Sequence, residues 1–199
     1  RTLFNFALRR SYLAKNPAAA VEIPEQVEKA PALHTPAQTE SALNFARQMD
    51  INLCRALAIR YFAGLRSIEA DRLSESEIGP DYIEVTAAKS KTRARRLVRI
   101  RPNLRAWLDL GGQLPLHDTV NRWRRFTAGL KAEHGIAWPP NVTRHSFVSY
   151  HLAAFGSASR TALESGHSEA ILFRNYRELA QKAAGVAFFG ILPKNGAHI

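Results

Sequence analysis

The spacing of apolar residues divides the chain into a helical first part, a short β region and a long helical second part. Apolar positions recur at helical intervals over 2–14, 35–49, 52–63 and 67–73. Two short segments, 82–86 and 96–101, instead alternate apolar and polar residues, as half-buried strands do. Helical spacing returns in every later segment, namely 103–110, 118–134, 142–155, 158–165, 169–175 and 178–189. The predicted fold class is α+β, mainly α, with one small antiparallel β-sheet.

Prolines and capping residues set the limits of the first elements. Asn16-Pro17 is expected to end the first helix, because the residue before proline avoids the helical region. Residues 18–34 lack a clear period and are interpreted as a linker. Thr35-Pro36 predicts an N-cap with proline in the first turn of the next helix. The segment 52–63 is apolar on most sides, so we expect it to be central, with Cys54 in the core.

Length and composition limit the class of protein. With 199 residues, 46% of them hydrophobic, the chain is long enough for one domain with a real core, which excludes disordered and collagen-like chains. A single cysteine excludes a disulfide framework and favours a reducing, cytoplasmic location. There is no run of about 18 apolar residues, so no membrane span is expected. Because the chain starts at Arg1 without a Met, we interpret it as a fragment of a longer protein.

The charge indicates a polyanionic partner. The chain has 28 Lys+Arg and 17 Asp+Glu, so its net charge is 28 − 17 = +11. Positive residues are concentrated between 89 and 105, where no Asp or Glu interrupts them. Such a stretch within a strand pattern is typical of an element that faces phosphates. The candidate DNA-binding residues are Lys89, Arg93, Arg95, Arg96 and Arg99.

Motifs for cofactors and metals are missing from the sequence. No G-x-G-x-x-G follows a predicted strand and no phosphate-binding P-loop occurs, which argues against a nucleotide-binding α/β fold. The spacing of the histidines does not indicate a metal site; those without another assignment are His34, His117, His134, His151 and His198. We therefore expect no metal and no cofactor.

Three separated segments carry residue types suited to phosphate chemistry. They are Ala63-Gly64-Leu65-Arg66-Ser67-Ile68-Glu69, Asn141-Val142-Thr143-Arg144-His145-Ser146-Phe147, and Ser165-Gly166-His167 followed by Tyr176. His167 comes 23 positions after Arg144, and Tyr176 comes nine positions after His167. In this order and spacing the chain resembles the tyrosine recombinase (phage integrase) family. The resemblance implies the fold of DNA breaking-rejoining enzymes.

The resemblance assigns a nucleophile and a phosphate clamp. Tyr176 would attack a DNA phosphodiester and form a 3′-phosphotyrosyl intermediate, while Arg66 and Arg144 would hold the phosphate. This fits elementary chemistry, since a guanidinium gives paired donors and stays charged. A phenol with an ordinary pKa of about 10 becomes a nucleophile only beside cations or a base. Site-specific recombination or integration of double-stranded DNA is the implied activity.

The resemblance also implies supporting residues and a domain plan. Lys91 would be the general acid in the basic hairpin, with Lys89 as the fallback. His167 would donate to a non-bridging oxygen, and Glu69 would orient Arg66. Residues 1–17 would be the last helix of a mostly missing N-terminal DNA-binding domain, 18–34 the linker, and 35–199 the catalytic domain with its tail helix.

Two features leave alternatives open. The family's second motif usually begins with histidine, but Asn141 stands there. The resemblance keeps Asn141 among the candidate site residues, because it can hydrogen-bond a phosphate oxygen, although it cannot act as a base near neutral pH. A DNA-binding module without turnover is therefore one alternative, and a type IB topoisomerase-like activity is another. His145, next to Arg144, is interpreted as structural because its side chain is expected to point elsewhere. The apolar tail could pack on its own domain, or on a neighbouring protomer in a tetramer assembled on DNA.

Overall fold

The computed structural model describes residues 2–22, 30–90, 94–176 and 179–194, which form helices and one two-stranded sheet. The helices within these residues are α1 (Thr2–Arg9), α2 (Pro36–Met49), α3 (Ile51–Phe62), α4 (Ser67–Asp71), α5 (Pro102–Leu108), α6 (Thr119–His134), α7 (Val142–Phe155), α8 (Ala158–Ser165), α9 (Glu169–Tyr176) and α10 (Lys182–Phe189). The strands are β1 (Tyr82–Val85) and β2 (Arg96–Arg99). The predicted fold class, mainly α with one small antiparallel sheet, is confirmed.

Helix α3 is the centre of the core. It packs against α2, α5 and α7, and its side chains from Leu53 to Phe62 are nearly all buried. Asp50 caps its first turn by accepting hydrogen bonds from the backbone N–H groups of Asn52 and Leu53. Cys54 is buried in this helix, as predicted. The apolar character of 52–63 therefore reflects a helix that is covered on most sides.

The chain enters this core just before α2. Thr35 caps α2 in a capping box with Gln38, as the Thr35-Pro36 pair predicts. His34, at the end of the predicted linker, is only 3% exposed. One of its ring nitrogens lies 2.5 Å from the hydroxyl of Tyr61 and the other 2.8 Å from the carbonyl oxygen of Ala137. The packed part of the chain thus already includes His34. Residues 23–29 of the predicted linker lie outside the described residues.

The first helix is shorter than the sequence pattern predicts. We expected it to reach Asn16-Pro17, but α1 ends at Arg9. Ser11 has a φ of 56°, in the left-handed region, and this conformation cannot continue a right-handed helix. The side chain of Asn16 instead binds Asn5 and the backbone N–H of Ala18. Apolar spacing alone did not detect this early end.

Strands β1 and β2 pair antiparallel with Ile83 opposite Val98. Val98 and Ile100 are buried on one face, as the alternation predicts, and Arg99 on the other face is exposed. The alternation over 96–101 predicts Val98 and Ile100 on one face and Arg99 and Arg101 on the other, and for Arg101 this prediction was wrong. The strand ends at Arg99, and Arg101 precedes α5 with its side chain buried.

The tail helix α10 packs on α7 of its own chain. The ring of Phe188 stacks on Tyr150 with a centroid distance of 4.6 Å, and Phe188 is fully buried. Gly185 lies so close to α7 that an added Cβ would be 2.8 Å from the carbonyl oxygen of Tyr150. The indole of Trp107 donates to the carbonyl oxygen of Ile191. The described tail residues thus pack on their own domain in this single chain, and docking of the tail on a neighbouring protomer on DNA stays a prediction.

A glycine between α3 and α4 brings two parts of the fold into close contact. Gly64 has a φ of 61°, and an added Cβ would come within 2.1 Å of the Phe147 ring on α7. Only glycine combines this backbone conformation with so close an approach. The turn at Gly64 therefore fixes the position of Arg66, two residues later, against α7.

Replacing Gly64 with alanine tests this contact. We expect Gly64→Ala to lower the free energy of unfolding by about 2–5 kcal/mol, the sum of left-handed strain and overpacking. Gly156→Ala is the matched control, because Gly156 has a φ of 64° but nothing within 4 Å of an added Cβ. In urea unfolding, the free energy of unfolding of Gly156→Ala should fall by only about 1–2 kcal/mol. Equal losses for both variants would contradict the close packing of Phe147.

Candidate active site

Four of the predicted site residues come together where helices begin and end. Arg66 precedes α4, and Arg144 lies in the first turn of α7. His167 follows the glycine that ends α8, and Tyr176 is the last residue of α9. Segments that are far apart in sequence thus contribute side chains to one cluster.

The carboxyl end of α8 gathers three arginines. The carbonyl oxygens of residues 164–166 are consecutive, and each accepts a hydrogen bond from a different guanidinium group. Arg96 binds the first at 3.1 Å, Arg144 the second at 2.5 Å, and Arg66 the third at 3.1 Å. The last carbonyls of a helix have no partner within the helix and carry partial negative charge. They are therefore natural acceptors for cationic side chains.

The carboxylate of Glu69 binds two of these arginines, Arg66 and Arg96. Its carboxylate is 1% exposed and accepts from Arg66 at 2.9 Å and from Arg96 at 2.5 Å. It also accepts from the backbone N–H of Arg66 at 2.8 Å. Burial raises the pKa of Glu69, but the hydrogen bonds and charges of Arg96 and Arg66 outweigh burial and hold its pKa below the usual value. The expected contact between Glu69 and Arg66 is present, and Arg96 adds a second.

Arg144 lies at the centre of the cluster. It is 5% exposed, and its other terminal nitrogen donates to the carbonyl oxygen of Gly64 at 2.7 Å. Burial, followed by the charge of Arg66, lowers the pKa of Arg144 to about 9, which leaves it protonated at neutral pH. Three guanidinium groups and the Glu69 carboxylate give a local charge of 3 − 1 = +2. An anion placed here would relieve this unbalanced charge.

His167 lies between Arg144 and Tyr176. Its ring is 3.3 Å from a guanidinium nitrogen of Arg144, and its centroid is 5.7 Å from that of the Tyr176 ring. Burial, then the charges of Arg144 and Arg66, lower the pKa of His167 to about 3. The imidazole is therefore neutral and can donate only one N–H at a time.

His145 contacts the phenol directly. Its Nδ1 lies 2.7 Å from the hydroxyl oxygen of Tyr176. The expectation that His145 points away from the site was wrong, because the α9 end that carries Tyr176 lies over the first turn of α7. Neighbouring positions on a helix differ by about 100° in direction, so Arg144 and His145 can face two parts of one site. The feature of the sequence that could have indicated this role is the position of His145 directly after Arg144.

Tyr176 is largely covered in this structure. It is 3% exposed and packs in a small apolar cluster with Phe147, Val148, Ala162 and Leu172. Burial raises the pKa of Tyr176, and the charge of Arg144 partly offsets this. The phenol is thus protonated at neutral pH, and its reaction as a nucleophile requires a group that accepts the proton.

The basic hairpin contributes less exposed charge than its sequence indicates. Lys91 and Arg93 lie outside the described residues. Lys89 binds Glu77 at 2.5 Å, and Arg95 binds Glu84 at 2.5 Å on the surface. Arg99 is exposed. Acidic residues elsewhere in the chain thus pair with part of this stretch, which sequence distance concealed.

Arg96, predicted to bind DNA, belongs to the arginine cluster. Its side chain is 8% exposed and holds both oxygens of Glu69. It has the same strand parity as Val98 and Ile100, which face inward. An open cavity of about 570 Å³ adjoins Arg96 and His167. The cluster therefore meets solvent through this cavity.

Asn141 stands at the N-cap position of α7, three residues before Arg144. It is exposed, its φ of 57° is left-handed, and its side chain makes no capping hydrogen bond. Asparagine is among the few residues that adopt this conformation readily. The backbone at this position therefore gives a structural reason for asparagine.

Within the described ranges, no group of three or more His, Cys, Asp or Glu side chains is arranged to hold a metal ion. No helix in this part of the chain is long and apolar enough to cross a membrane.

Solved structures with the same fold are DNA recombinases and integrases. XerA recombinase has a TM-score of 0.62 and 17% identity, with 92% of this chain and 78% of XerA covered. The Tn1549 transposon integrase, in complex with a circular intermediate DNA, has a TM-score of 0.66 and 18% identity, with coverage of 94% and 74%. A lambda integrase tetramer bound to a Holliday junction has a TM-score of 0.67 and 19% identity, with coverage of 90% and 58%. The chain has the fold of a tyrosine recombinase catalytic domain.

Sequence comparison alone does not find this relationship. No protein-family model matches the chain, and no curated protein is significantly similar to it. The tyrosine recombinase resemblance based on the spacing of Arg66, Arg144, His167 and Tyr176 is confirmed at the level of the fold.

Replacing Glu69 tests the electrostatics of the cluster. We expect Glu69→Gln to lower the free energy of unfolding at pH 7 by about 3–5 kcal/mol, because it leaves buried guanidinium charge uncompensated. The pKa of Glu69 is lower in the folded state, so its contribution is present above about pH 4.3 and is lost as the pH falls through the folded value. The free energies of unfolding of the wild type and Glu69→Gln should therefore become more alike as the pH falls. Urea unfolding at several pH values measures this.

Glu84→Gln is the control, since the Arg95–Glu84 pair is on the surface. It should leave the unfolding midpoint nearly unchanged. An unaltered midpoint in Glu69→Gln would contradict the role of Glu69 in holding Arg66 and Arg96.

Proposed function

We propose that this chain is the catalytic domain of a DNA strand transferase that cuts and rejoins DNA through Tyr176. The observation that supports this most is the phenol of Tyr176 beside a cluster of three arginines, on the fold of a tyrosine recombinase. A buried tyrosine with only a packing role does not require such a cluster. The substrate class is double-stranded DNA, and the reaction class is site-specific recombination or integration.

The proposed cleavage is a transesterification. The hydroxyl oxygen of Tyr176 attacks the phosphorus, an O–P bond forms, and the bond from phosphorus to the 5′-oxygen breaks. Arg66 and Arg144 bind the non-bridging oxygens, and His167 donates its single N–H to one of them. Lys91 is the proposed acid that protonates the leaving 5′-oxygen. The phosphotyrosyl ester keeps the bond energy, so the reverse attack rejoins the strand without ATP.

Duplex DNA as partner follows from charge as well as from chemistry. The net charge of +11 and the exposed Arg99 fit a phosphate backbone. Binding through such contacts should weaken steeply with salt. Action on DNA would place the protein in the cytoplasm, on the nucleoid.

Self-association on DNA is a further part of the proposal. The similar lambda integrase is a tetramer on its junction. In the present chain α10 already covers α7, so exchange of the tail between protomers requires α10 to leave its own domain. Sedimentation of the protein on DNA that carries paired sites should show more than one protomer, and a strictly monomeric complex would contradict this part.

Two other functions compete with this one. A DNA-binding module without turnover is favoured by Asn141, which replaces a possible base. It would bind DNA without any covalent adduct, even on nicked substrates that trap cleavage. A type IB topoisomerase-like activity would use the same chemistry and relax a supercoiled plasmid.

Adduct formation tests the role of Tyr176. We incubate the protein with a library of randomised duplexes nicked at random positions, which traps cleavage because the short fragment diffuses away. The wild type should form an adduct that survives denaturing electrophoresis, and Tyr176→Phe should form none because the nucleophilic oxygen is gone. Tyr12→Phe is the control, since Tyr12 is exposed on the surface, and it should react like the wild type. An adduct that persists in Tyr176→Phe would contradict the assignment.

Arginine-to-lysine variants test the clamp. Arg66→Lys and Arg144→Lys keep the charge but lose the paired geometry of the guanidinium. Each should slow adduct formation by about 10²- to 10³-fold, the usual effect of removing one preorganised donor. DNA binding in gel-shift assays and the melting temperature are measured in parallel. Unchanged cleavage in both variants would contradict the phosphate clamp.

A further inference from the structure

We infer that His145 is the catalytic residue that accepts the proton of Tyr176 when the phenol attacks DNA. The inference rests on the proposed function, and it concerns a residue that was interpreted as structural from its expected direction on the helix. Its basis is the distance of 2.7 Å between Nδ1 of His145 and the hydroxyl oxygen of Tyr176. A proton acceptor must lie within hydrogen-bond reach of the proton that it takes, and His145 satisfies this without any rearrangement.

Asn141 cannot fill this position. Its amide has no basic nitrogen near neutral pH, and it is exposed at the start of α7. His145 lies one helical turn further along the same helix, since its backbone N–H donates to the carbonyl oxygen of Asn141. His145 therefore provides a basic nitrogen on the first turn of α7, although Asn141 at the motif position does not.

His167 is the other imidazole near the phenol, but its nitrogens are engaged elsewhere. Its Nδ1 lies 3.1 Å from the hydroxyl of Ser165, and both ring nitrogens are within 3.5 Å of Arg144. Three guanidinium groups surround it and oppose a further positive charge. Protonation of His167 is thus unfavourable, which makes it a poor proton acceptor. The neutral ring can still donate its single N–H to a phosphate oxygen.

Burial and the neighbouring charged groups determine the pKa of His145. Arg144 is its neighbour on α7, His167 faces it from the segment after α8, and Tyr176 faces it from α9. Burial, then Arg144, lowers the pKa of His145, so the ring is neutral at neutral pH and free to accept a hydrogen bond. A DNA phosphate bound to Arg144 would offset that positive charge and make the ring a stronger base.

The step balances in atoms and charge. As the O–P bond forms, the proton of the phenol moves to Nδ1 of His145, and the bond from phosphorus to the 5′-oxygen breaks. The leaving oxygen takes a separate proton from the acid, for which Lys91 is proposed. In the rejoining step the 5′-hydroxyl attacks the phosphorus and gives its proton back to the acid, for which Lys91 is proposed. The bond from phosphorus to the Tyr176 oxygen then breaks, and His145 returns its proton to the departing phenolate.

Two variants separate the hydrogen bond from the proton transfer. His145→Gln can still accept a hydrogen bond but cannot hold a proton near neutral pH, and His145→Ala removes both functions. His117→Gln is the matched control, because His117 is exposed in the loop before α6. The assay is single-turnover adduct formation on the nicked library as a function of pH, with melting temperatures measured for every variant.

A second substrate distinguishes the two proton transfers. A 5′-bridging phosphorothiolate has a thiolate leaving group, which departs without protonation because a thiol has a pKa of about 8.5. Loss of the acid in Lys91→Ala should therefore be rescued on this substrate. Loss of the acceptor in His145→Gln should not be rescued, because the phenol must still lose its proton.

We expect His145→Gln and His145→Ala to slow cleavage by about 10²-fold or more on both substrates, with unchanged DNA affinity. The rise of the wild-type rate with pH through the titration of His145 should disappear in His145→Gln. A wild-type rate in His145→Gln, or its rescue by the phosphorothiolate, would overturn the inference while leaving the proposed function intact. If the wild-type chain itself forms no adduct through Tyr176, the proposed function fails and the catalytic role of His145 fails with it.

A measurement on the resting protein supplies independent evidence. Nitrogen-15 NMR of the imidazole should show the Nε2–H tautomer at neutral pH, with Nδ1 accepting from the phenol, and Tyr176→Phe should shift the Nδ1 signal. An Nδ1–H tautomer would mean that the ring donates to the phenol, and it would overturn the inference even if every variant failed to fold.

Discussion

The hydrogen bonds between three guanidinium groups and the carboxyl end of α8 are the constraint on which the candidate site depends. Arg66, Arg96 and Arg144 come from three distant segments, and each binds one of three consecutive carbonyl oxygens. Glu69 then links two of them through its buried carboxylate. The partial negative charge of the α8 carbonyl oxygens offsets the repulsion between the three guanidinium groups. Their convergence is therefore a property of the assembled fold.

The same arrangement sets the protonation of the site before any DNA arrives. Burial, followed by the positive charges of Arg144 and Arg66, lowers the pKa of His167 and keeps it neutral, and burial raises the pKa of Tyr176 and keeps it protonated. His145, next to Arg144, is neutral for a related reason. A bound phosphate would supply the missing negative charge, favouring an imidazolium at His145. In the proposed mechanism, binding of the substrate thus prepares the proton transfer that cleavage needs.

Sequence order predicted much of this architecture, because several elements had to occur at fixed intervals. The order of Arg66, Arg144, His167 and Tyr176 pointed to the fold, and strand alternation placed Val98 and Ile100 inside. The direction of His145 could not be predicted, since it depends on how α9 crosses the first turn of α7.

The predictions for Arg96 and Arg101 failed for similar reasons. Arg96 has the parity of the buried strand face, yet its partner Glu69 lies 27 positions away and only the fold brings them together. Arg101 was expected in the strand, but it pairs with Glu164 in the interior. In both residues a distant carboxylate decides whether an arginine is a surface charge or a buried one.

Main-chain oxygen atoms, unlike side chains, are not altered by substitution. The acceptors that hold Arg66, Arg96 and Arg144 on α8 are all of this kind, so most replacements along that helix leave them in place as long as it stays helical. The side chains at the neighbouring positions of α8 can therefore change while these acceptors remain.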